Sequence, residues 1–188
     1  MDRKNQIILC CAVLAMGLGV AFSSQAAAPG QEVSELKVEI HEWQGPTKGA
    51  HPHDPAVGPD GALWFTEQMA NKLGRLDPAT GAFKEYPLVE GKNSGPHGLV
   101  ADKEGNIWFT ANFGGYIGKL DPRTGKVTQY KMPDESVDDP HTAAFDAHGI
   151  LWFTAQGGNA VGRLDPRTGK IELNKVPTES ALPYGDSD

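Results

Sequence analysis

The chain has 188 residues, with 17 basic against 24 acidic side chains and a formal net charge of −7. An acidic chain without basic clusters excludes nucleic acid and anionic membrane surfaces as expected partners. Its two cysteines, Cys10 and Cys11, are both close to the N-terminus, so neither disulfides nor thiolate chemistry is expected in the rest of the chain.

In chain order, Arg3 and Lys4 precede an uncharged, mostly apolar run of 16 residues, Ile7 to Phe22, and then the small residues of Ser23 to Ala28. This order reads as a secretory signal peptide over residues 1–26, cleaved after Ala26. The run is short of the roughly 20 apolar residues that span a bilayer, and an uncleaved N-terminal anchor is the rival reading. The expected mature chain is periplasmic or secreted, free of the membrane after cleavage, and contains no cysteine. Residues 27–50 follow as a linker with one expected strand, Glu35 to Trp43.

From residue 51 the chain repeats itself. Trp64, Trp108 and Trp152 are 44 residues apart, as are His53, His97 and His141, the Asp-Pro pairs at 77, 121 and 165, and Gly81, Gly125 and Gly169. Each unit reads as short strands and tight turns. In the first unit a strand is expected around Pro55 to Val57, and a second over Ala62 to Thr66 after the turn signal Pro59-Asp60-Gly61. A third, Lys72 to Leu76, alternates polar with apolar or small residues. Asp77-Pro78-Ala79-Thr80-Gly81 is turn chemistry, and Ala82 to Pro87 is an edge strand whose last residue, a proline, suits an edge. Four short strands in a period of about 40–50 residues describe a blade of a β-propeller. The expected fold is therefore all-β, a propeller of four-stranded antiparallel blades at 51–94, 95–138 and 139–182. Residues 183–188, with Pro183-Tyr184-Gly185, read as the start of a fourth.

The repeated histidines are the candidates for chemistry. Each is expected just before the innermost strand of its blade, and position 67, 111 or 155 follows 14 residues later at the end of the second strand. In an antiparallel meander these two places share one end of the blade. His53, His97 and His141 should then ring one mouth of the channel, with Glu67 near His53. Imidazoles beside a carboxylate suit general-base or metal chemistry. The alternative is that each histidine satisfies backbone groups between blades. Asp134, Glu135, Asp138 and Asp139 crowd one loop, where a solvated acidic surface is the default without calcium-loop spacing. Arg75, Lys119 and Arg163 read as surface pairing.

Pro-His-Gly, Asp/Glu-Gly, Trp-Phe-Thr, Ile/Val-Gly-Arg/Lys-Leu-Asp-Pro and Thr-Gly together resemble the streptogramin B lyase (virginiamycin B lyase) family of seven-bladed propellers. The resemblance implies three blades of seven and an Mg²⁺-dependent β-elimination that opens an ester linkage in a cyclic depsipeptide or related substrate. It also implies a small-molecule or cyclic-peptide ligand at the channel mouth and a monomeric complete ring. On that pattern His53, His97, His141 and Glu67 are the catalytic candidates, and Glu67 and Asp139 the metal candidates. The match is divided between units. His53 and Glu67 keep the His/Glu spacing, but position 51 is His rather than an acid. Asp139 and His141 keep acid-x-His, but Ala155 stands in place of the Glu. A non-catalytic binding propeller and a calcium-dependent, lactonase-like hydrolase are the alternatives.

Overall fold

A computed structural model describes residues 37–88 and 92–185. The expected signal peptide, the rest of the linker up to residue 36 and the end of the expected fourth unit lie outside the described residues. The chain forms two compact units, Met1–His41 and Glu42–Asp188. Residues 37–41 of the first are exposed and contain no strand. The expected strand over 35–43 is corrected accordingly, because none of its described residues is in a strand. A strand is held by a ladder of hydrogen bonds to a neighbour, and the ladders of all three sheets are filled by residues 52–175.

The second unit contains twelve strands in three sheets of four. The first blade is β1 Pro52–Val57, β2 Leu63–Glu67, β3 Lys72–Asp77 and β4 Ala82–Pro87. The second is β5 Pro96–Ala101, β6 Ile107–Ala111, β7 Tyr116–Asp121 and β8 Lys126–Lys131. The third is β9 Pro140–Phe145, β10 Leu151–Ala155, β11 Ala160–Asp165 and β12 Lys170–Lys175. Every neighbouring pair is antiparallel and consecutive in sequence. The inner strands β1, β5 and β9 pack side by side, so the blades form an arc of a propeller.

The repeated residues are what join the blades. Along β2, β6 and β10 alternate residues face opposite ways. The tryptophan faces outward from one side, and Trp108 packs between Tyr130 of its own blade and Phe145 of the next. Its indole N–H donates to Asp102 at 2.8 Å, and the Trp152 indole donates to Asp146 in the same way. The phenylalanine on the opposite side sets the far edge of its ring over the central glycine of the third strand. A Cβ on Gly118 would fall 2.1 Å from the Phe109 ring, and the same close approach holds at Gly74 and Gly162. Trp64 and Trp108 are buried, whereas Trp152 is 38% exposed. No described blade packs on the Trp152 side of the third sheet.

Candidate functional site: a row of histidines on the inner strands

The ladder between the first and second strands of each blade is interrupted at one place. Pro52 pairs with Glu67 and Pro55 with Phe65, so His53 and Asp54 together oppose Thr66. His97 and Gly98 oppose Thr110, and His141 and Thr142 oppose Thr154, in the same way. Two residues against one is a β-bulge, a device that bends a strand and re-aims a side chain. The histidines are thus the second residues of β1, β5 and β9, inside the inner strands and not before them as expected.

The threonine opposite each bulge ties one blade to the next. Thr66 Oγ1 donates to the His97 carbonyl at 2.8 Å, and Thr110 Oγ1 to the His141 carbonyl at 2.5 Å. Thr154 Oγ1 donates to the carbonyl of Tyr184, which therefore takes the histidine's place at the start of the next unit. Backbone satisfaction between blades is thus the work of the threonine hydroxyl and the histidine carbonyl. The imidazoles are left for other use.

Those imidazoles meet. The His53 and His97 ring centroids are 4.1 Å apart, those of His97 and His141 3.9 Å, and those of His141 and Tyr184 4.1 Å. His97 and His141 are buried and His53 is half-buried. Burial and the neighbouring His97 hold His141 below the ordinary histidine pKa, which keeps its ring neutral. Asp54, which the sequence reading passed over, joins the row. Its Oδ1 lies 2.7 Å from His53 Nδ1, and its Oδ2 lies 3.6 Å from His97 Nδ1. Burial works against the Asp54 charge, but the neighbouring His97 and His53 outweigh it and hold the carboxyl below its usual range. The available signal was that Asp54 stands where the second unit has Gly98. Gly98 itself admits no side chain, since a Cβ there would lie 2.6 Å from the His141 carbonyl oxygen.

Glu67 and Asp139 are used elsewhere. Glu67 borders the same 520 Å³ cavity as His53, but its carboxyl interacts with Glu85 and Lys72 on β4 and β3. Burial, and then the charge of Glu85, push its pKa up to about 7. Glu85 accepts from Thr47 at 2.8 Å and from Lys72. The oxygens Glu67 Oε2 and Glu85 Oε1 are both buried without a donor, and one proton shared between the two carboxyls satisfies both. Asp139 accepts the backbone N–H groups of Gly157 at 2.5 Å and Gly158 at 3.0 Å, which closes the turn after β10. Mg²⁺ takes oxygen ligands in near-octahedral geometry. Glu67, largely protonated below neutrality, and Asp139, on a different blade and occupied by amides, do not fit it together.

Fold and site define a class: a β-propeller whose inner strands present a row of imidazoles. Residues 29–187 match the family model described as the virginiamycin B lyase family. The chain belongs to the virginiamycin B lyase family. It is similar to a catalytically inactive histidine-to-alanine variant of virginiamycin B lyase from Staphylococcus aureus, solved with quinupristin. That match has 35% identity and a TM-score of 0.71, over 79% of this chain and 49% of the other. A streptogramin B lyase structure matches with 38% identity and a TM-score of 0.72, over 78% of this chain and 48% of that one. A periplasmic gluconolactonase from Pseudomonas aeruginosa, at 15% identity and a TM-score of 0.51 over 68% of this chain and 39% of that one, shares the fold alone. The chain spans about half the length of the two lyase structures.

Proposed function

We propose that the chain supplies the histidine-bearing blades of an exported, lyase-type propeller that opens a cyclic ester-linked peptide by β-elimination. The observation that carries this reading is the row itself. Three bulges bring three imidazoles together, and among the described residues their ring hydrogen bonds run to side chains of the inner strands, His53 to Asp54 and His141 to Thr142. A neutral imidazole is a proton acceptor, and we take His141, buried and stacked on His97 with its Nδ1 3.1 Å from Thr142 Oγ1, as the candidate base. His53, oriented through Nδ1 by Asp54, and His97 then form the wall against which the ligand lies.

In this reaction the base takes the proton from the carbon next to a carbonyl. A carbon–carbon double bond forms towards the adjacent carbon, the ester C–O bond there breaks, and the carboxylate leaves. No water is consumed. The Mg²⁺ that the resemblance implies finds no joint site on Glu67 and Asp139, so the chemistry assigned to these blades is proton transfer by imidazole. Support for a catalytic use of histidine comes from the Staphylococcus aureus relative, a histidine variant of which is catalytically inactive.

The test is chromatographic separation with mass analysis of a cyclic depsipeptide incubated with the protein in its longest natural form. Elimination gives an opened, unsaturated product of unchanged mass. His141→Ala should lower the rate by about 10²–10⁴-fold, the usual contribution of a positioned base, with an unaltered circular dichroism spectrum. A product one water heavier would replace the lyase reading by a hydrolase. Binding without ring opening would make this a ligand-binding propeller.

A further inference from the structure

We infer that His53, Asp54 and His97 form a binding site for a divalent transition-metal ion of the zinc class, distinct from any Mg²⁺ site. The inference is independent of the lyase reading, because it concerns metal affinity in the absence of substrate. One ligand atom from each of the three side chains can be chosen so that all lie within 4.8 Å of one another. Two imidazoles and one carboxylate are a set that zinc-class ions accept while leaving positions open for water or substrate. Mg²⁺ prefers oxygen ligands and gains little from two imidazoles.

A second observation points into the same space. His97 is 6% exposed, and its buried Nδ1 makes no hydrogen bond within 3.5 Å, the Asp54 carboxylate standing just beyond that at 3.6 Å. A buried nitrogen left without a hydrogen bond is costly, and a coordinated metal removes that cost. The spacing is close to what coordination requires. Ligand atoms around a tetrahedral ion with bonds of about 2.1 Å sit about 3.4 Å apart. His97 Nδ1 and Asp54 Oδ2 are at 3.6 Å, whereas His53 Nδ1 and Asp54 Oδ1, at 2.7 Å, are hydrogen-bonded and would have to separate to admit the ion.

The bulges explain why this set exists in one place among the described residues. Each bulge presents its histidine and the following residue on the inner strand, and the first blade alone has a carboxylate in that second position. Gly98 and Thr142 take the equivalent places. His97 reaches the site because its ring stacks directly on His53. The second and third blades place His97 and His141 equally close, but with no acid between them.

The experiment titrates the natural chain with Zn²⁺ by calorimetry at neutral pH, with Mg²⁺ in large excess throughout. The expected result is one Zn²⁺ per chain that Mg²⁺ does not displace. Asp54→Asn, which keeps size and shape, should weaken binding at least about tenfold. His51 has its ring centroid 6.3 Å from that of His53 and is exposed. His51→Ala and His148→Ala should both leave affinity unchanged. Imidazole ¹⁵N spectra of the unmodified protein give a readout that no variant can confound: Zn²⁺ should move the Nδ1 signals of His53 and His97 together. Binding that survives Asp54→Asn but is lost in His51→Ala, or Zn²⁺ shifts confined to His51 and His148, would overturn the proposal. So would displacement of Zn²⁺ by Mg²⁺.

Discussion

Glu67 and Glu85 place two carboxyls side by side in the interior of the first blade, with Lys72 and Thr47 on the Glu85 side. The pair has a consequence for stability whose sign can be worked out. Glu67 binds its proton up to about pH 7 when folded, against an ordinary value of 4.5. Between those values the folded chain holds more protons than the unfolded one, so stability falls as pH rises from about 4.5 through 7, then levels off. The full shift corresponds to an effect on the order of 3 kcal/mol. Glu67→Gln removes the titration and keeps the shared hydrogen bond. Its melting temperature should be close to that of the parent at pH 5 and several degrees higher at pH 8. A difference that stays constant with pH would show that Glu67 is ionised in the folded protein. The sequence did not show this pairing. Glu67 closes Trp-Phe-Thr-Glu at the right distance from His53, but strand alternation sets it on the Phe65 side, opposite to Thr66 and the His97 backbone. Asp54 was missed for a related reason: only the stacked inner strands show what it touches.

At the scale of the element, the bulge and its threonine are the unit that repeats. Thr110 Oγ1 donates to the His141 carbonyl and lies 2.9 Å from Gly98 N–H, from which it accepts. Both contacts are buried. Thr110→Val keeps the volume and removes both, leaving a buried carbonyl and a buried N–H without partners, which costs roughly 1–3 kcal/mol. Thr154→Val, at a half-buried position where water can replace the hydroxyl, should cost less. Equal losses in urea unfolding of the two variants would argue against the hydroxyl as the joint between blades. Strand positions were legible because turns and alternation are local, and Ala82–Pro87 was read to the residue. The bulges were not. Register depends on which backbone groups pair across strands, and no glycine is common to all three bulges to mark it.

At the scale of the whole molecule, period alone gave the architecture. Three units of equal length, the first two burying Trp64 and Trp108 against a neighbouring blade, require adjacent blades around an axis. What the period left open was whether the histidines serve the joints or face a ligand. The structure gives the joints to threonine and backbone, and sets the rings of His53, His97, His141 and Tyr184 in one continuous row. The central claim is that this row is the surface a ligand meets. The most direct measurement is the imidazole ¹⁵N spectrum of the protein in its longest natural form, recorded with and without a cyclic ester-linked peptide. The account predicts that the signals of His53, His97 and His141 shift together on binding while those of His41 and His148 stay in place. Binding that leaves all three row signals unmoved would contradict it.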